Sequence, residues 1–233
     1  MSVERQPGAP LRIAVLISGS GSNLQALIDV IESREMPGAE IALVVSNRAD
    51  AYGLQRALQH KLPALYLPWR DKAQAEAKLA RILHLFQIDL IVLSGWMRIL
   101  SAEFINQFPD RIINQHPALL PPDGLGDTCI TSAGHVIPAL RGLHVVRRAL
   151  EAGMPVTGCV VHYVIPQVDA GRVICQAEVP IIEGDTEESL HERIKQFEHR
   201  LIVEAVRKFI KGGVQEIASP PGEVGEDSCN RKS

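Results

Sequence analysis

The sequence has no marked excess of either charge, few cysteines and no long apolar run, and each shortage excludes a class of protein. Lys and Arg number 24 against 27 Asp and Glu, which gives a net charge of −3 and a pI near 6.2. This balance argues against nucleic acid as a partner, because nucleic-acid-binding domains carry a basic surface. The four cysteines include no Cys-x-x-Cys pair, so they predict neither a zinc site nor a disulfide framework.

Signals for membranes and secretion are also missing. No apolar run approaches the roughly 18 residues that a membrane helix needs, and residues 1–10 lack the apolar core of a signal peptide. We therefore expect a cytoplasmic protein with no membrane partner, which works on small molecules without a metal, as a monomer or a homodimer.

The apolar residues indicate one α/β domain. They make up 46% of the 233 residues, which is typical of a globular core. Continuous apolar runs at 13–17 and 89–93 indicate strands buried on both faces of a parallel sheet. Helical periodicity over 51–60 and 71–86 alternates with such strands. This alternation predicts a single doubly wound, mostly parallel sheet.

The last third of the chain departs from this alternation. Residues 155–164 and 173–182 have strand patterns joined by a short link, which favours an antiparallel hairpin at the edge of the sheet. A long amphipathic C-terminal helix is predicted over 186–210.

Three stretches have the composition of irregular structure. Residues 1–10 read as a flexible tail and 214–233 as a disordered tail, which leaves 11–213 as the domain. Residues 122–138 are rich in Gly, Pro, Asp, Ser and Thr and have no sustained periodicity. We expect them to form a long loop, which inside a compact domain is usually a lid or disordered.

Asn114 and His116 are the first candidate for chemistry. They follow the short apolar segment 111–113, and Pro117 ends the strand because it has no N–H. Side chains two residues apart in an extended chain share a face. An amide beside an imidazole can stabilise a carbonyl oxygen that becomes negative. The alternative is a polar strand end that only satisfies turn hydrogen bonds.

The segment 18–25, Ser-Gly-Ser-Gly-Ser-Asn-Leu-Gln, is the second candidate, because it joins a strand to a helix. Glycines let the backbone approach a ligand, and the first N–H groups of a helix attract an anion. No Gly-Lys-Ser/Thr follows, so the segment is not a P-loop. Leu24 also replaces the third glycine of a dinucleotide fingerprint. A single phosphate monoester suits it best, and a capped turn without a ligand is the alternative.

Two further candidates are weaker. Residues 96–100, Trp-Met-Arg-Ile-Leu, are unusually apolar for a segment that follows a strand. They can form a wall for a flat aromatic ligand, pack under the next helix, or do both. Asp169 lies in the link between the two late strands, where an Asp more often caps a turn.

Taken together, these motifs resemble one family. The glycine segment, residues 96–100 and Asn114-Gln-His-Pro-Ala-Leu-Leu-Pro121 occur in the same order and at similar intervals in the phosphoribosylglycinamide formyltransferases, as do Thr157-Gly-Cys-Val-Val-His162 and Val168-Asp-Ala-Gly171. The resemblance covers residues 11–213. It implies formyl transfer from 10-formyltetrahydrofolate, as co-substrate, to the amine of 5′-phosphoribosylglycinamide in purine biosynthesis.

The resemblance also implies roles for individual residues. It assigns catalysis to Asn114, His116 and Asp169. It assigns the binding of the ribonucleotide to Gly21, Ser22, Asn23 and Glu198. It assigns the binding of the folate to Lys72, Met97, Arg98, Ile99, Leu100 and Asn114.

The sequence departs from the family pattern at several positions. Ala118 stands where Ser is usual, Val203 replaces a Pro, and Val146 occupies the place of a His for which His144 is a possible substitute. Residues 122–138 are an apparent insertion beside the site. The alternatives are a formyltetrahydrofolate deformylase, methionyl-tRNA formyltransferase or a silent nucleotide- or folate-binding protein. We expect the tails to be too short for the extra domains of the first two.

Overall fold

The computed structural model describes residues 8–212. Residues 1–7 and 213–233 lie outside the described part, and with them most of the first predicted tail and all of the second. None of the helices within 8–212 is long and apolar enough to cross a membrane.

Nine strands and six helices alternate along the described chain, numbered here in chain order. The strands are β1 Leu11–Ile17, β2 Ala39–Ser46, β3 Ala64–Tyr66, β4 Leu90–Leu93, β5 Ile112–His116, β6 Thr128–Ile130, β7 Val136–Pro138, β8 Val156–Tyr163 and β9 Val173–Pro180. The helices are α1 Ser22–Glu32, α2 Tyr52–Gln59, α3 Lys72–Leu85, α4 Ala102–Ile105, α5 Val145–Glu151 and α6 Glu187–Gly212.

Seven of the strands form one sheet in the order β3-β2-β1-β4-β5-β8-β9. The pairs from β3 to β5 are parallel, whereas β8 is antiparallel to both β5 and β9. The predicted fold class is thereby confirmed, including the antiparallel edge and the long C-terminal helix. The sheet reverses direction at β5, the strand that carries Asn114 and His116.

Helices cover both faces of the sheet because successive side chains of a strand point to opposite sides. On one face Ile13 and Val15 of β1 pack with Leu24 of α1 and Ile194 of α6. On the other face Leu16 packs with apolar residues of α3 and α4. Every residue of β4 and β8 is buried, which agrees with the uninterrupted apolar run of β4, whereas β8 also buries the polar residues Thr157 and His162.

Within the segment 122–138, which we expected to be a long loop, residues 128–138 form a hairpin. Strands β6 and β7 pair antiparallel, with Cys129 opposite Ile137. These two side chains are buried in a small apolar cluster with Leu119, Val145 and Met154. Periodicity could not reveal the strands, because each has three residues and turns one side chain inward.

This packing predicts that the hairpin contributes to stability through one face only. Ile137 is 4% exposed, whereas Ile130 on the neighbouring strand is 77% exposed. Ile137→Ala should lower the free energy of unfolding by about 2–5 kcal/mol, because it leaves a cavity. The matched control Ile130→Ala should change it by no more than about 0.5 kcal/mol. Urea unfolding of both variants is the measurement, and equal small effects would mean that the hairpin does not pack on the domain.

Candidate active site

The carboxyl end of β5 brings Asn114 and His116 to one face of the sheet. The strand runs through His116 and ends before Pro117, as expected. Asn114 lies beside Leu93 of β4 and opposite His162 of β8. Strand pairing therefore holds Asn114 on both sides and His116 on the β8 side, at the edge where open α/β sheets bind ligands.

Asp169, in the link between β8 and β9, meets both of these residues. One carboxylate oxygen, Oδ1, lies 3.3 Å from Asn114 Nδ2, and the other, Oδ2, lies 3.5 Å from His116 Nδ1. The side chains of His116 and Asp169 are 4% and 14% exposed, so solvent weakens their attraction little. The structure thus brings together the three residues predicted to be catalytic.

The Asp169 backbone is strained. Its φ of 46° lies in the left-handed region, which for a residue with a side chain costs about 1–3 kcal/mol and persists only where neighbours impose it. Two neighbours do so here. The Gly142 N–H donates to Asp169 Oδ2 at 2.8 Å, and Arg141 Nε donates to the Asp169 carbonyl at 3.0 Å.

Both ring nitrogens of His116 have acceptors as neighbours. Nε2 lies 2.7 Å from the Leu140 carbonyl, and Nδ1 faces Asp169. A neutral imidazole carries one N–H and can donate to only one of them, whereas the doubly protonated ring donates to both. Only the doubly protonated ring uses both neighbours, and in that form His116 can act as an acid.

His162 is a buried residue of the site that the sequence reasoning did not single out. Burial lowers the pKa of His162, so its ring is neutral at neutral pH. Its Nδ1 donates to the Tyr163 carbonyl at 2.8 Å, which leaves Nε2 to accept from Asn114 Nδ2 at 3.1 Å. His162 and Asp169 together orient the Asn114 amide. The available signal was the antiparallel pairing, which sets His162 directly opposite Asn114.

The predicted phosphate segment joins β1 to α1 as a tight glycine turn. Gly21 precedes α1 with φ of 69°, and a Cβ there would lie 2.8 Å from the Gly53 Cα, so only glycine fits. The Gly53 N–H holds the turn by donating to the Gly19 carbonyl at 3.0 Å. Within residues 8–212 no side chain caps α1, so the first N–H groups of the helix, at Ser22 and Asn23, have no side-chain cap where they face the turn.

Glu198 lies across from this turn on α6. It is 7% exposed, and burial raises its pKa, which the amide of nearby Asn23 and the charge of Lys195 partly offset. The structure thus brings Glu198 to Asn23, one of the three residues of the turn that the resemblance assigned to the ribonucleotide. Lys195, one helical turn earlier, is a cation near this region that the sequence reasoning missed.

The segment after β4 divides between core and surface. Met97 and Ile99 are 67% and 63% exposed, and Arg98 is exposed beside them. Leu100 and Trp96 are buried, and the Trp96 ring makes an edge contact with Trp69 at 5.0 Å between centroids. The segment therefore both presents an apolar surface and packs under the next helix. Leu100 faces the core, which does not suit the predicted folate contact.

Lys72 and His144 lie on helix starts. Lys72 is the exposed first residue of α3, and its charge lowers the pKa of Glu103, although less than the backbone and Ser101 do. The exposed His144 precedes α5 with φ of 57°. Val146 is buried in the core, so its side chain faces the protein interior.

Comparison with known proteins agrees with the resemblance in the motifs. The sequence profile described as formyl transferase matches residues 11–206. The phosphoribosylglycinamide formyltransferase of Haemophilus influenzae is 38% identical over 204 residues, which is 86% of this chain and 88% of that protein. The corresponding protein of Escherichia coli is 37% identical, with 87% of this chain and 88% of that protein covered. The resemblance stated from the sequence is confirmed.

The chain is also similar to longer proteins and to solved structures. The trifunctional purine biosynthetic protein adenosine-3 of Drosophila pseudoobscura pseudoobscura is 41% identical over 93% of this chain, and the chain spans 15% of that protein's length. The crystal structure of glycinamide ribonucleotide transformylase 1 from Symbiobacterium toebii superposes with a TM-score of 0.77 and 41% identity, covering 91% of this chain and 92% of that one.

Because Glu198 is buried, we predict that replacing its carboxyl by an uncharged group stabilises the fold, and that the size of this gain depends on pH. Its raised pKa means that folding favours the protonated carboxyl, so at neutral and alkaline pH the buried carboxylate costs stability. Glu198→Gln should therefore raise Tm at pH 8, and the gain should shrink as the pH falls toward the ordinary range of a glutamate. Glu204→Gln, at a half-exposed position of α6, is the control and should change Tm little at any pH. A Glu198 variant that melts lower at pH 8 would contradict the assignment.

Proposed function

The chain belongs to the formyl transferase family, among the phosphoribosylglycinamide formyltransferases, and we propose that it transfers a formyl group from 10-formyltetrahydrofolate to the amine of 5′-phosphoribosylglycinamide. This reaction is a step of de novo purine biosynthesis. The partners are two small molecules, and the place of action is the cytoplasm. The observation that carries the proposal is the convergence of Asn114, His116 and Asp169 at the end of β5.

The reaction is an acyl transfer between two nitrogens. The substrate amine attacks the formyl carbon, a C–N bond forms, and the electron pair of the carbonyl moves to oxygen. The tetrahedral intermediate collapses when the bond to the folate nitrogen breaks. That nitrogen gains a proton and the attacking amine loses one, so the reaction needs a proton donor and an acceptor, and no outside oxidant.

Asn114 and His116 stabilise the negative oxygen of the intermediate. Preorganised donors aimed at a developing oxyanion are worth about 3–4 kcal/mol each in enzymes of this kind. In the structure the Asn114 amide nitrogen and His116 Nε2 already have protein partners. Binding of the formyl oxygen therefore exchanges one partner at each donor, namely the Leu140 carbonyl at His116 Nε2 and either His162 or Asp169 at Asn114 Nδ2.

Asp169 has two roles in this scheme. Its carboxylate faces Nδ1 of His116 and attracts the imidazolium form of that ring during the reaction. It is also an acceptor for the amine proton, directly or through water. His116, once it has a proton on each nitrogen, gives one to the leaving folate nitrogen. The buried position of the pair keeps the attraction strong.

The two substrates approach from different sides of the site. The phosphate of the ribonucleotide binds the N–H groups at the start of α1, with Gly21, Ser22 and Asn23, and Glu198 contacts its glycinamide or ribose end. Met97, Arg98 and Ile99 form the exposed wall for the folate ring, with Lys72 further along. Leu100 supports this wall from the core side.

A coupled assay with both substrates tests the proposal. Appearance of the deformylated folate should depend on the ribonucleotide, at a rate proportional to enzyme. Folate that loses its formyl group as formate without ribonucleotide would identify a deformylase instead. Binding of both ligands by calorimetry without any turnover would identify a silent binding protein.

The variant Asp169→Asn distinguishes a catalytic role of Asp169 from a role in shaping the turn. The formyl-transfer rate should fall ~10²-fold or more, the usual scale for losing an acid–base partner. Both substrates should still bind, because the glycine turn and the apolar wall are untouched. Asn tolerates a positive φ, so the backbone of the turn persists.

Turnover and Tm are measured on the same preparation of Asp169→Asn. Asp110→Asn is the matched control, because Asp110 also has a positive φ, of 54°, and lies exposed in the turn before β5. A large loss of Tm with normal turnover per folded molecule would reduce Asp169 to a turn residue.

The glycine turn predicts selective competition by a phosphate monoester. Ribose 5-phosphate carries the phosphate and ribose of the substrate without its amine. It should inhibit competitively with the ribonucleotide, because both need the same N–H groups. Against 10-formyltetrahydrofolate the inhibition should not be competitive. Ribose without phosphate is the control, and equal inhibition by the two sugars would place the phosphate elsewhere.

A further inference from the structure

Arg141 stands immediately after the inserted hairpin and touches the site without having been assigned any part in it. Its Nε donates to the Asp169 carbonyl at 3.0 Å. One terminal nitrogen donates to the Gly124 carbonyl at 2.9 Å and to the Gly126 carbonyl at 2.7 Å. The guanidinium of Arg141 therefore joins two segments. One is the turn that carries Asp169, and the other is residues 122–126, the first arm of the insertion.

The first arm also contacts the turn through backbone alone. A Cβ on Gly124 would lie 2.0 Å from the Gly171 carbonyl oxygen, and φ of Gly124 is 75°, so only glycine allows this approach. The Val173 N–H donates to the Pro122 carbonyl at 3.0 Å. Backbone contact and the Arg141 bridge thus hold the arm and the turn as one unit.

The three residues that leave the hairpin all face the catalytic groups. The Leu140 carbonyl lies 2.7 Å from His116 Nε2, and the Gly142 N–H donates to Asp169 Oδ2 at 2.8 Å. Arg141 between them holds the Asp169 backbone. The Arg141 carbonyl is in turn held by Arg148 at 2.7 Å. Four hydrogen bonds therefore hold residues 140–142 in place.

We propose that Arg141 is a positioning residue for Asp169, and that the inserted hairpin acts through it as a brace for the catalytic turn. Arg141 holds Asp169 in its left-handed conformation, with the carboxylate between Asn114 and His116. The inference rests on the proposed function, since Asp169 needs this placement only if it acts on His116. The insertion then supports activity and is not a lid over the site.

The fork geometry of the guanidinium is what this role requires. Its N–H groups point in fixed directions and reach three carbonyl oxygens on two segments at once. A lysine ammonium at this place supplies the same charge from a single point. Arg141→Lys therefore keeps the charge and removes the bridge, and Arg141→Ala removes both.

The kinetic experiment compares these variants in the full chain. For Arg141→Ala and Arg141→Lys, kcat should fall by ~10²-fold, the cost of a small misplacement of a catalytic group. KM for both substrates should stay within about twofold, because neither binding region is touched. Added guanidinium ion should restore part of the activity of Arg141→Ala and none of that of Asp169→Asn.

Arg147→Ala is the matched control, because that arginine pairs with Glu151 on the exposed side of α5. It should leave kcat unchanged. The inference is overturned if kcat per folded molecule stays near the wild-type value in both Arg141 variants, or if KM rises while kcat is kept.

Hydrogen–deuterium exchange gives a readout that does not depend on activity. In Arg141→Ala the amide of Gly142 and the amides of 168–171 should exchange faster, together with those of 124–126, while the amides of β1 and β4 keep their protection. If the amides of the turn exchange at an unchanged rate in the variant, the inference that Arg141 braces this turn is overturned. Should the wild-type chain fail to transfer formyl at all, the proposed function fails, and exchange alone still decides whether Arg141 holds the turn.

Discussion

The contact between the Asp169 carboxylate and the His116 ring is the interaction on which the rest of the site depends. At 3.5 Å and largely buried, it requires the two groups to be brought together from different parts of the chain. The antiparallel pairing of β5 with β8 supplies the position, because Asn114 lies opposite His162 and the turn after β8 folds back over both. The strained backbone of Asp169 is held by Arg141 and Gly142, so the geometry is imposed from outside the turn.

The two faces of the sheet carry different parts of the site. The face packed by α1 and α6 carries the glycine turn and the buried Glu198, and both belong to the proposed ribonucleotide region. The apolar segment after β4, with its buried Trp96 and Leu100, packs on the face covered by α3 and α4. Asn114 and His116, two of the three residues proposed to be catalytic, stand at the end of β5, where the parallel part of the sheet meets the antiparallel part. Two substrates can therefore meet there from separate sides.

The inserted hairpin is where the sequence reasoning and the structure differ most. Its glycines and prolines predicted a loop, and they do occur in turns, but Cys129 and Ile137 bury themselves in a cluster with Leu119 and Val145. Residues of three distant segments form that cluster, so no local pattern reports it. The same holds for His162 and Arg141, whose importance lies in what they touch across the sheet and not in the residues beside them in the chain.

The sequence by itself determined the alternation of strands and helices, the sharp turn at Gly21 and the family, because apolar periodicity, glycine and short motifs are local properties. It also named Asn114 and His116 as a pair, since two residues apart in a strand share a face. Tertiary structure alone decided that Asp169 meets them, that Leu100 faces the core and that residues 122–138 are ordered. These outcomes depend on contacts between segments far apart in the chain, and the free energy of such contacts is set by packing and burial rather than by local preference.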